Sequence, residues 1–226
     1  MWSIVKRMAQ PSTTQRALLG LLAIRPWTAY ELTGQMRRAL RWAWPRSEAN
    51  IYNEVKRLVP RGWATAAEEE SAGRARTKYE VTASGREQVS AWLESQPPAP
   101  PQVEFEALLR LFLADQGTVE QLRATIAETR RQIFERFEEG VVIAEDYLND
   151  PPFPERAHLN VLFMHFSAGF SRLVLAWCDD VEAEIATWPG TATAVGITPG
   201  TQQMLEDVLA YYTSSLEQAR QPGGER

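Results

Sequence analysis

The segment Ser47–Val59 reads SEANIYNEVKRLV, and its reading decides how the first ninety residues are understood. At about 100° per residue, Ile51, Val55, Leu58 and Val59 fall on one arc, the stripe of a helix packed on a core. The opposite arc presents Ala49, Asn53, Lys56 and Arg57, with Asn50 and Tyr52 on its flanks. Glu48 and Glu54 sit nearer the apolar edge, and Ser47 stands where an N-cap belongs. Amides, a phenol and two cations suit a DNA major groove: Arg or Lys meets guanine, Asn meets adenine, and hydroxyls meet phosphate. A helix that merely wets its polar face has the same pattern, so the flanking sequence must decide.

Upstream, Arg16–Ile24 is a compact helix carrying Leu18, Leu19, Leu21 and Leu22, stopped by Pro26. Thr28 opens a second helix running to about Leu40, with Glu31 three residues later as a capping box requires. Arg41–Arg46 is a connection. Downstream, Gly62 supplies the exit turn. Trp63–Ala67 and Thr77–Val81 are short strands around the turn-like Ser71-Ala72-Gly73. Thr82 or Ser84 opens a fourth helix, Gly85–Leu93. The predicted architecture is mainly α: an N-terminal winged helix-turn-helix with three helices, a two-stranded wing and a linking helix.

The wing strengthens the DNA reading. Arg74, Arg76 and Lys78 cluster near its tip, where a basic hairpin lies along phosphates or enters a minor groove. Arg37, Arg38, Arg41 and Arg46 offer further phosphate contacts. Glu68-Glu69-Glu70 would repel phosphates unless the strand base points away from the duplex. Candidate DNA contacts are therefore Ser47, Ala49, Asn50, Tyr52, Asn53, Lys56, Arg57, Arg74, Arg76, Lys78, Arg37 and Arg38.

The charge distribution agrees. Residues 1–90 carry 15 Lys and Arg against 8 Asp and Glu, whereas residues 91–226 carry 9 against 21. The net charge of −5 thus hides a basic first part suited to a polyanion and an acidic remainder. The switch falls near Gln96-Pro97-Pro98-Ala99-Pro100-Pro101, a stiff extended linker. We place a winged-helix domain at 1–95, a Pro-rich linker at 96–101, a helical dimerisation and effector domain at 102–220 and a tail at 221–226.

In that second domain Glu104–Leu113 reads as a short helix. Thr118–Leu148 is long, with Leu122, Ile126, Ile133 and Phe137 near one face. A second long helix covers Glu155 to about Trp188. A third covers Thr201–Arg220, with Thr201 as N-cap and Met204, Val208, Tyr211 and Tyr212 on one side. Val161, Leu162, Phe163, Phe166, Phe170, Leu173, Val174 and Trp177 occupy more than one face of one helix. A two-fold partner would cover what three helices cannot. Leu159–Cys178 also invites a membrane reading, but Asn160, His165, Ser167 and above all Arg172 are costly in lipid. A buried helix in a soluble, cytoplasmic helical assembly is expected instead.

Catalytic and metal signatures are thin. Neither a P-loop, a Rossmann glycine fingerprint, HExxH nor GxSxG occurs, so no enzyme and no cofactor is expected. His158 and His165 share a helix face with Cys178 far along it, and no metal site is expected there. Asp179-Asp180 with Glu182 and Glu184 reads as a solvated acidic face. The one cysteine fits a reducing compartment. Trp92, Phe166, Phe170 and Trp177 are candidates for a small-effector pocket.

The first ninety residues resemble the PadR family of bacterial transcriptional regulators. The resemblance rests on Ala17-Leu18-Leu19-Gly20-Leu21-Leu22 before Pro26, then Tyr30-Glu31-Leu32, Asn50-Ile51-Tyr52, Lys56-Arg57-Leu58 and Gly62-Trp63. It continues through Gly73-Arg74 and Lys78-Tyr79-Glu80-Val81-Thr82-Ala83-Ser84-Gly85. Thr28-Ala29 stand where the family often has His-Gly, and Pro60-Arg61 precede Gly62 where it often has an acidic segment. The resemblance implies a homodimeric repressor on an inverted-repeat operator, with C-terminal helices that dimerise and, in some relatives, small aromatic effectors. A non-enzymatic winged-helix adaptor working through protein contacts is the competing reading.

Overall fold

The computed structural model describes residues 10–40, 44–71, 74–94, 97–189 and 195–220. The chain divides into two compact units, Met1–Pro101 and Gln102–Arg226.

In the first unit α1 spans Thr13–Ile24, starting before the expected Arg16. The reason is a reciprocal cap that the leucine pattern does not show. Gln15 N–H donates to Ser12 Oγ at 3.2 Å, and Ser12 N–H donates to Gln15 Oε1 at 3.1 Å. β1 is Trp27–Thr28, and α2 is Ala29–Gln35, continued by a π-helical turn over Met36–Leu40. Thr28 and Glu31 cap α2 in the reciprocal manner expected. α3 is Glu48–Leu58, β2 Ala64–Ser71, β3 Arg74–Val81 and α4 Ala83–Glu94.

The sheet has three strands in the order β1-β3-β2, all antiparallel, rather than two. β1 has two residues and no alternation to read. It becomes a strand because Trp27 and Thr28 pair with Tyr79 and Lys78. The wing strands outrun the sequence expectation for the same reason. Glu68, Glu69 and Glu70 have poor strand propensity, and their ladder to Thr77, Arg76 and Ala75 holds them extended.

Leu18, Leu19, Leu22, Leu32, Ile51, Val55 and Leu58 close the core between α1, α2 and α3. Trp27 and Trp63 are each 1% exposed, and each buried large side chain contributes about 1.5–3 kcal/mol. The Trp27 indole is satisfied by donating to Leu21 O at 2.9 Å. Gly62 takes φ 71°, the left-handed turn that ends α3. Thr82 then ties that turn to α4: its Oγ1 donates to Gly62 O at 2.7 Å and accepts from Gly85 N–H at 3.1 Å. Gly85 packs so closely that a Cβ there would stand 2.1 Å from Trp63 O.

The second unit contains α5 (Glu106–Phe112), α6 (Val119–Asn149), α7 (Ala157–Ile185) and α8 (Pro199–Arg220). Its core lies between α6 and α7: Val119, Leu122, Ile126 and Ile133 against Val174, Cys178, Val181 and Ile185. Arg130 clamps the same pair of helices, 2.6 Å from Asp179 Oδ1 and 2.8 Å from Glu182 Oε2. Burial pushes the Cys178 thiol up, away from thiolate chemistry.

Two expectations need correction here. Thr201 is inside α8; the cap is Thr198, whose Oγ1 accepts from Thr201 N–H at 3.1 Å, with Pro199 as first helical residue. Glu184 is not part of a solvated face but 8% exposed, accepting from Trp188 Nε1 at 2.9 Å and Thr198 Oγ1 at 2.5 Å. Within one chain α7 is not buried along its length, as the need for a two-fold partner leads one to expect. Pro154–Ile185 is long and apolar enough to cross a membrane by length and composition, its most apolar 18-residue window having a mean hydropathy of 1.4. Its C-terminal half packs on α6, while Leu159, Val161, Leu162 and Phe166 stay exposed. All of α8 lacks a buried residue.

Candidate nucleic-acid interface

α3 is oriented by its apolar arc. Ile51 and Val55 sink into the core, and Leu58 with them, so the opposite arc must face outward. Ala49, Asn53, Lys56 and Arg57 are exposed on that arc, and Tyr52 is half-buried on its flank. Asn50 is also half-buried; its Oδ1 is enclosed, without a hydrogen-bond partner among the described residues. Ser47 accepts from Asn50 N–H at 3.2 Å as N-cap, which leaves its hydroxyl proton to donate.

Cations flank this helix. Arg37 and Arg38 are exposed on the π-helical turn after α2. Arg46 is held instead, its Nε donating to Thr14 Oγ1 at 3.3 Å and its guanidinium 4.4 Å from the Trp44 ring centre. Arg41 lies outside the described residues. In the wing, the register puts Glu69 opposite Arg76 and Ala67 opposite Lys78, on one face of the ladder. Glu68 and Glu70 alternate to the other face, the one that carries Tyr79 and Val81 into the core lower down. Arg76 is exposed. Arg74 opens β3 opposite Ser71, its side chain outside the described residues.

Several carboxylates on this surface were not read as partners from sequence. Glu54 lies 2.5 Å from Arg57, Glu69 3.2 Å from Lys78 and Glu48 3.8 Å from Arg37. The first is an i,i+3 spacing that sequence does carry; the other two depend on the wing register and the path between helices. Glu31, which caps α2, is held below the usual carboxylate range, chiefly by the Thr28 backbone N–H it accepts from.

The expected effector aromatics are divided between the two units. Trp92 belongs to the first unit, with the Arg16 guanidinium 5.6 Å from its ring centre. In the second, an open cleft of 720 Å³ runs along α5 and the start of α6, lined by Phe105, Leu109, Leu113, Thr125, Thr129 and Gln132 among others. Phe166, Phe170 and Trp177 do not line it, because they project from α7 on other sides; Trp177 meets it only through its edge contact with Phe105, at 5.4 Å between ring centres. Among the described residues, no group of three His, Cys, Asp or Glu stands together as a metal site.

With this geometry in place, the comparisons are direct. Residues 18–91 match the family described as transcriptional regulator PadR-like. The negative transcriptional regulator PadR of Bacillus subtilis (strain 168) is 29% identical over 97 residues, which cover 42% of this chain and 53% of that relative. The match therefore spans about half the relative's length. Two crystal structures share the fold. Bacillus subtilis PadR in complex with operator DNA gives a TM-score of 0.68 at 19% identity, covering 78% of this chain and 99% of that one. The same regulator in complex with p-coumaric acid gives 0.58 at 18% identity, covering 80% and 100%.

Proposed function

We propose that this chain, whose residues 18–91 match the PadR-like family of transcriptional regulators, is a sequence-specific DNA-binding regulator: a homodimeric repressor on an inverted-repeat operator. The observation that carries the reading is α3, whose apolar arc is fixed in the core while Asn53, Lys56 and Arg57 face outward. In this reading Asn53 reads a base edge, and Lys56, Arg76 and Lys78 meet phosphates. A second copy covers the exposed apolar half of α7 and the unburied α8, so that two winged units meet successive major grooves. The site of action is the cytoplasm. The chain works as a regulator and not as an enzyme, in keeping with that family.

A small aromatic effector relieves binding by favouring one arrangement of the paired winged units over the other. p-Coumaric acid, bound by the Bacillus subtilis regulator, is the first probe. Operator affinity unchanged across a phenolic series would remove this part of the proposal alone.

A mobility-shift series with operator and scrambled duplex tests the main reading. Asn53→Ala relaxes sequence preference, costing about 1–3 kcal/mol on operator alone, whereas Arg76→Ala weakens both duplexes alike. Equal loss on both duplexes for Asn53→Ala would remove its base-reading role. A chain without any salt-dependent DNA affinity would be the adaptor of the competing reading.

A further inference from the structure

Three cations of the proposed DNA face are already occupied by carboxylates of the same unit. Arg57 Nη1 stands 2.5 Å from Glu54 Oε1, and Arg37 Nη1 3.8 Å from Glu48 Oε1. Lys78 Nζ stands 3.2 Å from both oxygens of Glu69. Lys56 and Arg76 have no carboxylate partner among the described residues. The wing shows that the pairing is selective. Glu69 lies directly opposite Arg76 in the ladder, yet it reaches along the same face to Lys78. Its neighbours Glu68 and Glu70, turned to the other face, hold no cation among the described residues.

Carboxylate and phosphodiester oxygens seek the same donors on Lys and Arg. A phosphate approaching Lys78, Arg57 or Arg37 must displace a carboxylate and then tolerate its charge nearby. We propose that Glu48, Glu54 and Glu69 are specificity residues: built-in competitors of phosphate that hold down the affinity of this face for DNA of arbitrary sequence. The proposal rests on the DNA-binding reading above. Removing the competitor strengthens binding and also adds a phosphate contact, which is legible in the salt dependence.

Exposed ion pairs are individually weak, so each Glu→Gln change raises affinity for a scrambled duplex about two- to fivefold at low salt. Each cation released to a phosphate steepens the log–log salt slope by up to about 0.9. Glu69 and Glu48 carry the test, since both are exposed and their substitution leaves the core intact. The full-length protein and its Glu69→Gln, Glu48→Gln and Glu70→Gln forms are titrated against a fluorescent scrambled duplex between about 50 and 200 mM salt. Glu70→Gln removes the same charge from the same strand without freeing a cation paired among the described residues. Support is a tighter, steeper curve for Glu69→Gln and Glu48→Gln than for Glu70→Gln. Equal gains for all three would mean net charge alone, and no gain for Glu69→Gln would mean no competition; either result overturns the proposal while leaving DNA binding in place. A parent protein that ignores every duplex at low salt would overturn both.

Discussion

The two units solve the burial problem in opposite ways. The first closes on itself: Trp27, Trp63 and the leucines of α1 are sealed by a small sheet and three short helices. The second leaves many apolar side chains outside, with Phe166 66% and Leu162 68% exposed on α7 and Tyr211 68% exposed on α8. One unit closes within a single chain, and the other does not. The lesson is that an amphipathic pattern specifies a helix in both units, but only the sheet and the close approach at Gly85 let a single chain complete its core.

That contrast can be broken at its firmest point first. Gly85→Ala forces a Cβ to within 2.1 Å of a backbone oxygen, and the first unit loses about 3 kcal/mol or more, read by denaturant unfolding. A smaller loss would show that α4 can slide and that the unit is less closed than it looks. Next, Leu162→Glu places a charge on the exposed half of α7. The proposed dimer weakens by about 2 kcal/mol, roughly thirtyfold in dissociation constant by sedimentation, while the first unit unfolds at the same denaturant concentration. A dimer indifferent to this change would move the interface to α8. Gly20→Ala, in open space on α1, sharpens the comparison in the other direction by adding about 0.5–1 kcal/mol in the same unfolding assay.

The smallest effect is electrostatic. Glu31 has a folded-state pKa held below its ordinary value, so its cap contributes fully above the ordinary carboxylate range and fades as pH falls through the folded pKa. The stability difference between the parent and Glu31→Gln is therefore present at neutral pH and shrinks in acid. A difference independent of pH would mean that the Thr28 cap works without the charge.

How much of this was legible follows from the range of the interactions. Ser47, Thr28 with Glu31, and Gly62 act within four residues of themselves, and sequence spacing displays them. The outward arc of α3 is equally local. β1 is not, because Trp27 and Thr28 are strand only by virtue of Tyr79 and Lys78. The Glu69–Lys78 pair waits on a register, and the burial of Glu184 on a helix that begins beyond a loop. Composition thus identified the cations of the face but not which of them are occupied.

The start of α8 carries one more consequence. A β-carbon on Gly200 would sit 2.2 Å from Glu184 Oε2, the same carboxylate that holds Thr198 and Trp188. Positions 184 and 200 are consequently linked under drift: a side chain gained at 200 must displace the Glu184 carboxylate, which its bonds to Thr198 and Trp188 resist. Randomised libraries of this arm should therefore vary the two together.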